Sequence, residues 1–332
     1  MILNPCILAL IVSSACIGVM AVYAAYFGVL ILSKWNLASG SERQLRLERR
    51  TYFVASVVTC IATFQILSLF LFVYTVQGIH SLFTGAMCAI GTLSANRFGY
   101  PTLFLKLITF VLSGVWLIVN YADNGGHDYP LIKHKYVLFE VIVPLLLVEN
   151  AAQWLYFSGL HPDIITSCCG NLFGADGKGI ARDIAAARVA PVLRLFFGSI
   201  LATCACGVLH IRSGKLGYAL GLLSGFTGVV SVIAIISAIS IFIYELPTHH
   251  CPFCLLDAQY GFIGYALYGP LLGGIVAGAG AGVLAPFRNV QSLGDWLPRV
   301  QKASGYAVTV SFALVGIVAA CAIVFSHLRM PE

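Results

Sequence analysis

Long apolar runs dominate this chain, and its polar residues gather in the short intervals between them. A helix needs roughly 20 predominantly apolar residues to cross the hydrocarbon layer of a bilayer. Runs of that kind fall at 4–33, 51–79, 101–121, 136–160, 189–211, 216–244, 259–285 and 304–327. They predict an all-α, polytopic bundle of about eight transmembrane helices, forming a single transmembrane domain over 1–332. The first run does not read as a secretory signal, because it lacks a basic leading region, is too long, and is followed by no small-residue cleavage site.

Composition agrees with the pattern. Hydrophobic residues occupy 59% of the 332 positions and charged residues 10%, with a mean hydropathy of +0.92. Soluble domains carry about 25% charged residues, so the expected surroundings are lipid. The net charge of +6 bears on topology rather than on an acidic partner. No basic stretch is interleaved with aromatics, so nucleic-acid binding is excluded as a function class. No Walker motif is present, which argues against an ATP-driven pump acting alone.

Lys and Arg in short loops set orientation. Twelve lie on one side: Lys34, Arg43, Arg46, Arg49, Arg50, Lys133, Lys135, Arg212, Lys215, Arg288, Arg299 and Lys302. Five lie on the other: Arg97, Lys178, Arg182, Arg188 and Arg329. The richer side is expected to be cytoplasmic, which places both termini on the non-cytoplasmic face. Lys106 and Arg194 fall inside spans.

Three intervals stand out. Residues 34–50 (KWNLASGSERQLRLERR) form a basic cytoplasmic linker, read as a short helix capped by Ser41 and anchored at the membrane surface. Residues 80–100 are too short and Gly-rich for a span, and read as an outer re-entrant or interfacial segment. Residues 161–188 form the longest outer loop, with an interfacial helix expected from Gly179. Glycines four apart at 217, 221 and 225, and at 274, 278 and 282, lie inside apolar helices and predict close helix packing rather than a nucleotide loop.

Of eleven cysteines, Cys6, Cys16, Cys60, Cys204, Cys206 and Cys321 lie within spans and read mostly as small apolar packing residues. The other five, Cys88, Cys168, Cys169, Cys251 and Cys254, all fall on the outer side of the expected topology. Cys251 and Cys254 belong to the run Glu245-Leu-Pro-Thr-His-His-Cys-Pro-Phe-Cys254, just before the seventh span. At a helix start, the unpaired N–H groups and the positive end of the helix dipole would favour a thiolate. His249 and His250 would lower the thiol pKa further or move protons, and such a thiolate attacks and leaves well in disulfide exchange.

C-P-F-C at the outer end of a transmembrane helix resembles the membrane pair of the vitamin K epoxide reductase and DsbB group of thiol–quinone oxidoreductases. The resemblance covers about a dozen residues, and the four-helix core of that group is about half the number of spans read here. It implies that Cys251 and Cys254 pass electrons to a quinone. It further implies that Cys168 and Cys169 stand in for an outer-loop pair that exchanges with a periplasmic thioredoxin-like protein. In that group the loop cysteines are separated, whereas these two are adjacent, and a bond between neighbours would be strained. The expected location is then a bacterial inner membrane, with the cysteine clusters on its periplasmic face.

Two other readings stay open. His249, His250, Cys251, Cys254, Cys168, Cys169, Met87 and Cys88 are soft or borderline ligands suited to Cu(I) or Zn, which would make the chain a metal-handling permease. Cys88, Cys168, Cys169, His250, Cys251 and Cys254 would be the ligand set. Alternatively, disulfides only brace the outer loops of a subunit within a larger membrane complex. Five outer cysteines are odd in number, so at least one is expected to be unpaired, metal-bound or joined to another chain. In the fourth span, Glu149 and Gln153 share a face at i, i+4. Ionisable groups in lipid face a cavity or a bundle interior. Glu149 therefore reads equally as a quinone or proton partner, with Gln153 beside it, or as the counter-ion of Lys106 or Arg194. No C-x-x-C-H occurs, so covalent c-type haem is not expected.

Overall fold

The computed structural model describes residues 3–35, 42–126, 128–161 and 180–328. Among them the chain is all-α, with eight helices long and apolar enough to cross a membrane. It is a polytopic membrane protein of the bilayer-spanning helical class. In chain order the helices are α1 (Pro5–Lys34), α2 (Glu42–Gly78), α3 (Ala89–Ser94), α4 (Gly99–Asp123) and α5 (Ile132–Ser158). They continue with α6 (Ile180–Ala185), α7 (Val189–Ser213), α8 (Gly217–Ala234), α9 (Ile263–Leu284) and α10 (Leu297–Phe325). Helix α8 runs on through a π-turn, Ile235–Ile239, into a last α-turn, Ser240–Tyr244. Many large apolar side chains, among them Val19, Leu222 and Phe325, stay exposed, as a lipid-facing surface requires.

Local sequence accounts for most helix ends. Pro5 opens α1, where its missing N–H costs nothing, and the Asn4 side chain accepts the Cys6 N–H at 3.0 Å. The short helix expected over 34–50 is, from Glu42 on, simply the start of α2. No Gly or Pro interrupts 42–77, and an exposed Glu42–Arg46 ion pair of 2.5 Å supports its first turn. Helix α9 starts only at Ile263, because Gly261 and Phe262 both hold left-handed backbone at φ 62° and 57°. A short helix begins at Ile180, where the sequence places one.

The chain divides into two compact units. The first comprises Met1–Thr75, Asn96–His161 and Pro286–Val300. Here α5 packs along both α1 and α4. Its interior carries two fully buried ion pairs. Lys106 Nζ lies 2.7 Å from Glu149 Oε1, and Lys135 Nζ lies 2.6 Å from Asp123 Oδ2. Lys106 also donates to Ser68 Oγ at 2.7 Å, while Thr109 Oγ1 donates to Glu149 Oε2 at 2.5 Å and Gln65 Nε2 donates to the same oxygen.

The second unit comprises Val76–Ala95, Pro162–Ala285 and Gln301–Glu332. Its closest helix pair is α8 against α9, and glycine makes the approach feasible. A Cβ on Gly221 would stand 3.1 Å from the Gly278 carbonyl oxygen, and one on Gly217 would stand 2.8 Å from that of Ala281. Gly225 meets nothing within 4 Å, and Gly274 packs against Phe312 of α10 instead. Gly221→Leu should therefore destabilise the protein by about 1–3 kcal/mol through overpacking against backbone that cannot yield. Gly225→Leu should be nearly silent. Unfolding midpoints of the two variants in mild detergent check this, and equal losses would refute the packing account.

Candidate thiol site

The second unit gathers three of the outer cysteines. The sulfurs of Cys88, Cys251 and Cys254 lie within 4.8 Å of one another. Cys88 Sγ and Cys251 Sγ are 3.4 Å apart although 163 positions separate them in sequence. Cys88 and Cys251 are buried, at 1% and 0% exposure, while Cys254 is half-buried. Ile90 and Phe253 complete the apolar setting.

Both segments are pinned by polar side chains from well-formed helices. Gln77, at the end of α2, accepts the Ala89 N–H on Oε1 at 2.9 Å, directly after Cys88. Its Nε2 reaches Asp257 Oδ2 at 3.4 Å, three residues past Cys254. One amide thus ties both cysteine segments together. Tyr244, the last residue of α8's final turn, donates its hydroxyl to the Cys251 carbonyl at 2.6 Å, and Tyr268 on α9 donates to the Pro252 carbonyl at 2.8 Å. In a non-helical segment these carbonyls have no ladder partner, so the phenols satisfy groups that would otherwise be costly to bury.

The two histidines part company. His250 Nδ1 sits 3.0 Å from the Ile236 carbonyl, in the π-turn, whose altered register makes such carbonyls available. His249 turns inward, edge-on to Tyr244 with ring centroids 4.4 Å apart, and its buried Nε2 has no hydrogen-bond partner among the described residues. Burial holds the His249 imidazole below its ordinary pKa, partly offset by the neighbouring Cys88 sulfur. Burial also raises the Tyr260 phenol, reinforced by Cys254 and Asp257. Glu245 holds left-handed backbone at φ 55° where the chain leaves the helix, and its carboxylate accepts the His327 N–H at 2.9 Å.

One physical expectation about the motif changes. The C-x-x-C pair does not sit at the start of the seventh spanning helix. Cys254 opens a single 3-10 turn, Cys254–Leu256, and α9 begins nine residues after Cys254. The dipole of a long helix therefore does not act on these thiols, because helix-terminus effects fade within one turn.

The remaining candidates are dispersed. Cys168 and Cys169 lie outside the described residues. Met87, next to Cys88 in sequence, is exposed. Glu149 and Gln153 belong to the other unit. Glu149 takes Lys106 as its ion-pair partner, whereas Arg194 is exposed in the first turns of α7. Gln153 Nε2 donates to the Leu10 carbonyl and to Ser14 Oγ, both at 3.1 Å. Sequence reasoning missed Gln77, Tyr244, Tyr268 and Asp257. The available signal was weak, namely polar residues placed at or just beyond span ends.

The three buried sulfurs can do two kinds of chemistry, thiol–disulfide exchange or coordination of a soft cation. No protein-family model, no curated protein and no solved structure matches the chain.

Proposed function

We propose that the protein is a membrane thiol–disulfide oxidoreductase, whose reacting centre is the Cys251/Cys254 pair with Cys88 beside it. The observation that carries this reading is the convergence of three sulfurs within 4.8 Å at a site where only Cys254 is partly accessible. A protein dithiol attacks Cys254 Sγ of the oxidised pair, forming a mixed disulfide, and Cys251 leaves with the electron pair and takes up a proton. The partner's second thiol then displaces Cys254, completing its own disulfide. The two electrons and two protons left on the reduced thiol centre pass to a quinone, which becomes the quinol, and the Cys251–Cys254 disulfide is restored. Lys and Arg distribution supports placing this site on the non-cytoplasmic face, with both termini on the same side. A bacterial inner membrane and a periplasmic thioredoxin-like partner fit that orientation.

A second reading rests on the same three sulfurs. Three thiols suit Cu(I), or Zn with one further ligand, which a metal-handling permease would bind there. Differential alkylation of the natively purified protein, read by mass spectrometry with and without reductant, separates the two. A readily reducible disulfide that includes Cys251 is the expected result. Thiols that become alkylatable after chelation, without reductant and with stoichiometric copper or zinc by elemental analysis, would overturn the redox reading in favour of metal handling.

A further inference from the structure

We infer that Cys88 is a third exchanging thiol, and that a disulfide migrates between the Cys88–Cys251 and Cys251–Cys254 pairs with Cys251 common to both. This rests on the redox reading above and assigns the part of that centre which the C-x-x-C motif does not contain.

Placement is the first support. Cys88 Sγ stands at van der Waals contact from Cys251 Sγ, 3.4 Å away, and Cys254 completes the group within 4.8 Å. A sulfur at that separation needs only a small approach to attack. The second support is rigidity. Gln77 holds the backbone beside Cys88 and reaches Asp257 beyond Cys254, while Tyr244 holds the carbonyl of Cys251 itself. Such fixed positions make an intramolecular exchange fast relative to the same reaction between free molecules. The third support is the gradient of access. Cys88 and Cys251 are closed to solvent and Cys254 is half-open. A disulfide on Cys88–Cys251 is therefore shielded from small thiols, and one on Cys251–Cys254 is presented to a protein partner.

The step balances internally. With the disulfide on Cys88–Cys251, the Cys254 thiolate attacks Cys251 Sγ. A Cys251–Cys254 bond forms, the Cys88–Cys251 bond breaks, and Cys88 leaves with the electron pair and takes the proton that Cys254 gave up. No net oxidation or reduction occurs. The quinone oxidises the Cys88/Cys251 dithiol, becoming quinol, and the partner dithiol consumes the Cys251–Cys254 disulfide. The two half-reactions are thus served by two different pairs.

The test uses the full-length protein in detergent, as wild type and as Cys88→Ser and Cys254→Ser. Each is reduced, freed of reductant, oxidised with a water-soluble benzoquinone, and mapped for disulfide-linked peptides. Cys254→Ser is expected to give a Cys88–Cys251 link, Cys88→Ser a Cys251–Cys254 link, and wild type both. Alkylation of Cys254 in the oxidised wild type should be at least tenfold more extensive than in oxidised Cys88→Ser. If Cys254→Ser gives no Cys88–Cys251 link while wild type and Cys88→Ser form Cys251–Cys254, the relay is wrong and the redox reading stands. If no protein forms any link through Cys251, the redox reading itself falls and the relay with it.

Discussion

Cys251→Ser is expected to lower dithiol oxidation coupled to a short-chain quinone analogue by roughly 10⁴-fold or more, the scale on which loss of a covalent nucleophile acts. The reason is positional. Cys251 is common to the C-x-x-C pair and the Cys88 contact, so its loss removes both of the proposed exchanging pairs at once. The fold should survive, because Tyr244 bonds the backbone carbonyl of residue 251 rather than its side chain. An unfolding midpoint close to wild type, measured beside the assay, separates lost chemistry from lost structure. Turnover within a few-fold of wild type in a folded Cys251→Ser protein would remove the cluster from the mechanism.

Lys106→Met is expected to cost about 3–5 kcal/mol of stability, the usual penalty for stranding one member of a buried ion pair. Both partners are at most 1% exposed, so water cannot take the place of the lost ammonium. The remaining donors to Glu149, from Gln65 and Thr109, are neutral and cannot replace its charge. Replacing both charges, as Lys106→Met with Glu149→Leu, should restore most of the loss, because two apolar groups leave no uncompensated charge. A double variant as unstable as the single one would show that the hydrogen bonds of Gln65, Thr109 and Ser68 matter more than the charges. Denaturant titration in mixed micelles provides the comparison.

The eight spans were legible because the bilayer imposes a length that few other structures need, and each apolar run met it. The glycine spacing was legible for a related reason. Residues four apart share a helix face, and at Gly221 that face meets another backbone. At Gly225 the same spacing meets nothing, since periodicity says which residues share a face but not what the face touches. A cation partner for Glu149 was one of two readings the sequence left open, and within it the choice between Lys106 and Arg194 was not legible. Depth decides it: Lys106 lies seven residues inside α4, whereas Arg194 lies near the start of α7 and remains exposed. The C-x-x-C motif was visible as a local pattern, and Cys88 joined it only as one of six candidate ligands grouped by their expected side of the membrane, because a contact across 163 residues leaves no local trace. The same holds for Gln77, whose two hydrogen bonds join segments 168 positions apart. The misplaced start of the seventh span came from treating Phe262 as an ordinary helical residue, when it holds a left-handed backbone.

The π-turn at Ile235–Ile239 has a bearing on how this site is held. A π-turn is a helix that has absorbed one additional residue, and in an α-helix one residue advances the direction of every later side chain by about 100°. Tyr244 stands five residues downstream, aimed at the Cys251 carbonyl. Deleting any one residue of 235–239 would leave the span long enough for the bilayer and its composition almost unaltered. It would nevertheless swing the phenol a quarter-turn away and withdraw the carbonyl that His250 meets. A change invisible to hydropathy would thus release this helix's grip on the cysteine loop.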